Sequence, residues 1–414
     1  KKSESGLAHT NTIAVPVQVL VQKDVSSRCL TVGKDATLEL RAPLTSTETV
    51  SVGKGGKGVL NIYAPSTFAG EFCHTGGMIS VYAPSNAFGK VADSSSRVFI
   101  NERDGDYSGI YFYGTTIDHP VTIWGNSDRF GSFCFRGGTN VFNGKVTTGY
   151  TFRPRNASGS VAIFNGGTYS SSYLTPGCFG STKCEWIVRN KPMECREGLE
   201  LGAYFWLTLE TTGNTVGSGG SGALSLHGAK TTIDFRTDYA YSQVGLQLSF
   251  AKDADQCQLL LNGHSQRIGT LEEIAGAVGK IDSSSPAVLY LNQNKLDTTL
   301  TGVEFTGYAS LSKAGAKTVT IDRKMSSKGT VEVTEGTLAF TTNGSWRRCA
   351  ELSISGTGVV SVPAGSVLRV KKIVIDGVEK LGTVGPIGSG ADFETEHVTG
   401  GLIQGKTGVL LLVR

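Results

Sequence analysis

The sequence predicts an all-β chain wound as a single-stranded parallel β-helix, a solenoid drawn out into a rod. Three observations lead there. Between Gln266 and Phe340, short runs of alternating apolar and polar residues recur, such as Val288 with Tyr290, Val303 with Phe305, Val319 with Ile321 and Val331 with Val333. Strict alternation over a few residues means strands with one buried face. Gly, Asn, Asp and Ser separate these runs too often for a long helix, and only Thr270 to Val278 leaves room for a short one. Finally, VLNIYAPSTFAG (Val59 to Gly70) returns as MISVYAPSNAFG (Met78 to Gly89), setting Tyr63 and Tyr82, like Pro65 and Pro84, 19 residues apart. A strand–turn unit of that size cannot bury its apolar face alone and must stack on the next one. Coils of about twenty residues, with strands about 4.8 Å apart, give a rod on the order of 90–100 Å long.

Taken in order, residues 1–52 form an N-terminal cap and first coils, because a solenoid end must hide its open edge. Their strand runs are VPVQVLV, RCLTV, ATLELRA and ETVSV. Residues 53–349 form the body of the helix. From Ser95 to Asn190 the rhythm gains aromatics, and Phe142 and Phe164 each precede Asn-Gly, a tight-turn signal. Phe112, Phe133, Phe135, Phe142 and Phe164 are expected to stack inside. Tyr111 and Tyr113 flank Phe112 and therefore face outward, with Trp124 joining them. Such a row suits sugar-ring stacking or protein contact. The least regular stretches, 178–199 and 212–222, read as loop excursions. Residues 350–414 close the chain as C-terminal coils and cap.

Three segments resemble a known family. QRIGTL, SLSKAGAKTVTI (Ser310 to Ile321) and GTVEVTEGTLAF (Gly329 to Phe340) are similar to the autotransporter-associated β-strand repeat, whose units run G-x-G-S-L-x-K-x-G-x-G-T-L-T-L, a Gly-rich turn, then V-x-x-G-T-L. Gly315 and Gly336 stand where that family has Gly, while Lys317 replaces a usual Gly and Met325 to Lys328 replace the usual Gly-Gly-Thr-Thr turn. The tail resembles the family's closing pattern, with Ile375-Asp376-Gly377-Val378 matching and Val384 in place of an aromatic. The resemblance covers roughly 50–90, 265–342 and 350–414. It implies a right-handed parallel β-helix on a secreted or surface-displayed protein. Since the closing pattern ends at Arg414, no translocating barrel is expected after it.

Composition narrows the function classes. The 55 Gly are about twice the average share while Pro is only 11, which argues against a low-complexity chain. Charged residues make up 18% and the formal net charge is +4, with no basic stripe interleaved with aromatics, so nucleic-acid binding is not expected. No apolar run approaches the eighteen residues of a membrane helix. The opening KKSESGLAHT has neither an initiator Met nor an apolar signal region, as in a secreted chain after signal-peptide removal or a piece of a longer one. Eight cysteines fit an oxidising compartment, with Cys178 and Cys184 the best disulfide pair, while Cys73, Cys134 and Cys257 also read as small buried residues. Their spacing lacks the CxxC pairs of a metal site.

Two textual motifs fail on context. Gly53 to Gly58 satisfies G-x-G-x-x-G and Gly400 to Thr407 satisfies G-x-x-x-x-G-K-T, but each runs into a strand pattern. A phosphate loop needs a following helix whose amides face the phosphate. Catalytic candidates are few. Glu102, Asp104 and Asp106 form one acidic knot, with calcium a possible ligand of Asp104 and Asp106 and the turn reading the plainer one. Asp128 and Arg129 follow about one coil later, and Arg153 and Arg155 complete a face that polysaccharide-cleaving chemistry would require. His74, His119, His227 and His264 build no triad with Ser or Cys. Asn156-Ala157-Ser158 and Asn343-Gly344-Ser345 fit glycosylation acceptors. Two functions follow. One is a secreted or cell-surface structural or adhesive protein, self-assembling into fibres or arrays and without enzymatic activity. The other is a carbohydrate-active enzyme or sugar-binding module acting on extracellular glycans through residues 101–155. No cofactor is expected beyond that calcium.

Overall fold

The structure, a computed structural model, describes residues 9–19, 30–92, 96–102, 109–125, 133–149, 151–217, 222–242 and 245–405, without the side chains of residues 101, 102 and 125. Every regular element in these residues is a strand, and the strands stack in parallel as a β-solenoid of about 14 turns. The chain divides into two compact units, residues 1–218 and 219–414.

In the first unit three parallel sheets run along the stack. One carries His9–Ile13, Ala36–Leu40, Val59–Ile62, Met78–Val81, Gly109–Tyr113, Phe133–Gly137, Arg155–Ala157 and Gly177–Phe179 in spatial order. Alternation becomes geometry in the register: Leu60 pairs with Ile79, Ile79 with Ile110 and Ile110 with Phe133. All four are at most 1% exposed. The residues between them, Asn61, Ser80 and Tyr111, pair with one another on the outer side of the same strands.

The five phenylalanines expected inside are all at most 1% exposed. Phe142 stacks on Phe164 at 5.4 Å and 17°, and Phe112 meets Phe133 at 4.8 Å. Burying about 150–250 Å² per ring at about 25 cal/mol per Å² makes each worth roughly 4–6 kcal/mol of transfer energy, so this cluster dominates the unit's cohesion.

Residues 178–199 are not the excursion their sequence suggests. Cys184–Val188 pairs with Val161–Phe164, and Met193–Cys195 pairs with Thr168–Ser170. Cys184, Trp186 and Val188 alternate inward, and Trp186 packs edge-on against Phe164 at 4.8 Å. In the sequence that alternation is blurred by the apolar Ile187 at an outward position and followed by Arg189-Asn190-Lys191-Pro192, a turn that obscures it. Within 212–222, Thr215–Val216 likewise pairs with Glu194–Cys195, and 218–221 lie outside the described residues.

The second unit begins with short strands and then lengthens them. Gly279–Asn292, Val303–Ala314, Val331–Phe340 and Leu352–Arg369 each turn a corner without ending, with register shifts at Ser283/Ala287, Val333/Glu335 and Val362/Val367. Thr270–Glu273, the one place open to a helix, is a strand paired with Gln247–Phe250. Leu271 is fully buried, and the Glu273 carboxylate accepts the backbone N–H groups of Gly302 at 2.7 Å and Val303 at 2.9 Å on the following coil. These contacts between coils override local helix propensity.

Near the C-terminus the parallel pattern ends. Ile373–Ile375 and Val378–Lys380 form an antiparallel hairpin around Asp376-Gly377, both at positive φ, and Thr383–Gly385 runs antiparallel to Val398–Gln404. That last strand contains Gly400 to Gln404, so the first five residues of the phosphate-loop spelling lie on a strand, and its Lys406 and Thr407 fall outside the described residues. Residues 406–414 are outside the described set.

Candidate functional site

The outer side of the first unit carries an ordered row built by register. Leu40 pairs with Ile62, Ile62 with Val81 and Val81 with Phe112. The next residue on each strand is therefore Arg41, Tyr63, Tyr82 and Tyr113, one above another. Tyr63 and Tyr82 stack at 4.8 Å and 8°, and Tyr82 and Tyr113 at 4.4 Å and 19°. The Arg41 guanidinium lies 4.6 Å over Tyr63 and holds Glu39 at 2.8 Å. Burial and a hydrogen bond with Tyr82 push the Tyr113 phenol up to about 12.

A bulge ends the row. Phe112 pairs with Phe135 but Tyr113 pairs with Gly137, leaving Arg136 as the extra residue. A bulge re-aims the side chain it adds. The Arg136 guanidinium sits 4.4 Å over Tyr111 and 5.8 Å from Phe179, which Arg155 approaches at 4.5 Å. Burial pulls Arg155 down, and the nearby Arg153 cation adds to that effect.

This geometry changes what the row can bind. A sugar ring needs an open aromatic face, but both faces of Tyr63 and Tyr82 are covered by the next tyrosine or by a guanidinium, and only Tyr113, opposite Gly137, keeps one face without a stacked ring. Arginine caps the Tyr63 end of the row, and at the other end Arg136 lies beside it over Tyr111. Tyr82 is 37% exposed and Phe179 41%. Trp124 is 48% exposed, and Gly149 runs so close to its ring that an added Cβ would lie 3.1 Å from it. Tyr111, Tyr113 and Trp124 are thus outward, as their alternation predicts, but Tyr113 is part of a packed ladder and Tyr111 lies under Arg136.

The enzyme face cannot be assembled here. Asp104, Asp106, Asp128 and Arg129 lie outside the described residues, so the structure brings only Arg153 and Arg155 together. Among the described residues no group of three or more His, Cys, Asp or Glu is placed to hold a metal ion. Cys178 and Cys184 both carry free thiols close enough to influence each other across their loop, with the Cys178 thiol donating to Thr182 O at 3.2 Å. Cys184 lowers the Cys178 thiol, while burial and Cys178 push Cys184 up. Cys134 and Cys257 are buried and Cys73 partly so. Asn156 does not fit a glycan acceptor: it is 1% exposed, its amide donates to Gly177 O at 2.9 Å, and its oxygen accepts the Trp186 indole at 3.0 Å. Asn343 is exposed.

Sequence reasoning missed two buried lysines. Lys54 is fully buried and donates to the carbonyls of Gly56 at 2.9 Å, Gly58 at 2.7 Å and Gly76 at 2.6 Å. Lys313, also fully buried, donates to the carbonyls of Ala314, Gly315 and Glu335. Burial pulls both down to about 8. In each case a glycine on the next coil makes room: a Cβ on Gly77 would lie 2.4 Å from Lys54 Nζ, and one on Gly336 2.7 Å from Lys313 Nζ. The G-x-G-x-x-G spelling around Lys54 is therefore a turn capped from inside by an ammonium. The signal was present in the sequence as Lys before a small Gly-containing turn with Gly one coil later. Compared with known protein families, curated proteins and solved structures, the chain gives no match.

Proposed function

We propose that this protein is a structural or adhesive β-solenoid of the secreted or cell-surface kind, and that its tyrosine–arginine row binds a second copy of the chain. The fold fits a structural or an enzymatic β-helix protein; the row favours the first. Its carrying observation is the continuous Arg41–Tyr63–Tyr82–Tyr113 ladder, in which the inner ring faces are stacked on one another and the rings are fixed side by side on the outer side of the strands. Tyrosine and arginine are enriched in the anchors of protein interfaces, where rigid rings give contact area at low entropy cost. Packing ring on ring fixes the row before any partner arrives, which lowers the cost of binding. Resemblance to the autotransporter-associated repeat supports the secreted or surface setting, and extracellular glycans remain a further contact of such a protein rather than of the packed tyrosine faces. The enzymatic reading rests on Asp104, Asp106 and Asp128 and gains no support from the described residues.

Sedimentation and electron microscopy across a concentration series test the reading. The unaltered chain is expected to assemble, and a Tyr82→Ser/Arg41→Ser variant to stay monomeric with an unchanged circular-dichroism spectrum. A chain that is monomeric at every concentration and releases sugar from a polysaccharide would overturn it.

A further inference from the structure

The second unit contains a cleft of about 200 Å³ bordered by three cations, Lys324, Arg347 and Arg369. It opens where the turn Thr341–Ser345 after one strand faces the bend at Pro363–Ser366 in the strand of the following coil. No aspartate or glutamate lines it. Some other cations of this unit are paired: Arg236 with Asp234 at 2.7 Å, Arg323 with Glu304 at 3.0 Å and Lys372 with Glu351 at 2.7 Å. Among the described residues Lys324, Arg347 and Arg369 have no such partner. The carboxylate of Asp322 is occupied by Thr341 Oγ1 and by Asn343 Nδ2 at 3.3 Å.

A second observation is independent of charge. The Ser345 hydroxyl lines the same cleft, is shut off from solvent and has no hydrogen-bond partner. A buried hydroxyl left unpaired is costly, and a turn of the Ser345 side chain toward the cleft would let a ligand oxygen remove that penalty. The rest of the lining mixes the hydroxyls of Thr341, Thr342 and Ser366 with apolar Pro363 and Val367, the mixture that a polyol with an apolar ring face requires. The volume is below the roughly 300–1,000 Å³ of sites for drug-sized ligands, which limits the occupant to about one sugar unit.

We infer that this cleft binds one acidic unit of a saccharide, its carboxylate or sulfate meeting Lys324, Arg347 and Arg369 and its hydroxyls meeting Ser345 and the threonines. Arginine forks match planar carboxylates in two parallel hydrogen bonds, so Arg347 and Arg369 supply geometry as well as charge. This site goes beyond the self-association proposed above and does not depend on it.

The test is calorimetric titration of the full chain with oligogalacturonate, a sulfated oligosaccharide, the neutral galactose oligomer and inorganic sulfate. Binding of either acidic saccharide, weakened at least ten-fold in Arg369→Gln and Lys324→Gln and weakened by added salt, supports the inference. Ser345→Ala is expected to weaken the acidic saccharide several-fold while leaving inorganic sulfate unchanged, a readout that simple charge attraction does not produce. Equal binding of the neutral oligomer, equal binding of inorganic sulfate and saccharide, or unchanged affinity in folded Arg369→Gln would overturn it. Assembly through the tyrosine row is read separately by sedimentation, so either proposal can fail alone.

Discussion

Replacing Lys54 with Met tests the claim that an internal ammonium holds this solenoid's turns. Methionine keeps the length and apolar stem but removes the charge and all three donors. Two effects oppose each other. Deleting the ammonium relieves the burial that pulls its pKa from 10.5 to about 8, about 3 kcal/mol at 1.36 kcal/mol per unit. Against this, three charged hydrogen bonds of about 1.5–3 kcal/mol each are lost. Gly58 O keeps the Met78 N–H at 3.1 Å and Gly76 O keeps the neighbouring His74 ring, but among the described residues Gly56 O has no other donor. The losses win, and the net destabilisation is about 2–6 kcal/mol. Urea unfolding followed by far-ultraviolet circular dichroism should show the midpoint falling by about 1 M or more at an ordinary slope. The same variant carries an internal check, because the Lys54 cation is the second cause, after burial, of His74 being pulled down to about 4. His74 should titrate higher in the Met variant. A variant as stable as the parent, with His74 unmoved, would refute the cage.

Three further outcomes follow from named contacts. His74 is fully buried, and its Nε2 meets Gly77 O at 2.9 Å while Nδ1 has no partner, so the neutral ring is favoured in the fold. The unfolded chain takes up the proton below about 6.5 and the folded chain only near 4; stability is therefore full above pH 6.5 and falls by about 3 kcal/mol as pH drops to 4, a slope that His74→Gln should reduce. Phe135→Ala removes a ring that contacts Phe112 at 5.9 Å, Phe142 at 5.7 Å and Trp186 at 6.1 Å; urea titration should show a loss of about 3–5 kcal/mol. Mild oxidation should join Cys178 to Cys184, read as two fewer titratable thiols and a linked peptide by mass spectrometry, and Cys184→Ser should abolish it.

Much of the fold was legible because strand alternation and turn residues are local signals. Leu60, Ile79 and Ile110 announce their inward side by period two, and the Tyr63/Tyr82 spacing announces the coil. The stretch around Trp186 was not legible as a coil, since one short alternation is flanked by charges and Pro192. Thr270–Glu273 was ambiguous because its strand state is set by Gln247–Phe250 and by Gly302 and Val303 on neighbouring coils, which local sequence does not encode. At the site, outwardness of Tyr111, Tyr113 and Trp124 could be read, but the stacking of Tyr63, Tyr82 and Tyr113 required register between coils. The bulge at Arg136 was likewise invisible, because one extra residue in a strand leaves no distinct spelling. Lys54 and Lys313 were hidden for a different reason: a lysine beside glycines ordinarily reads as a solvated turn, and only the third dimension shows it turned inward.

The central functional claim is that the tyrosine–arginine row joins copies of the chain, and sedimentation velocity of the parent beside Tyr82→Ser/Arg41→Ser measures it most directly. The account predicts a parent sedimentation coefficient that rises with concentration and a folded variant whose coefficient does not. Identical, concentration-independent sedimentation of the two proteins would contradict it.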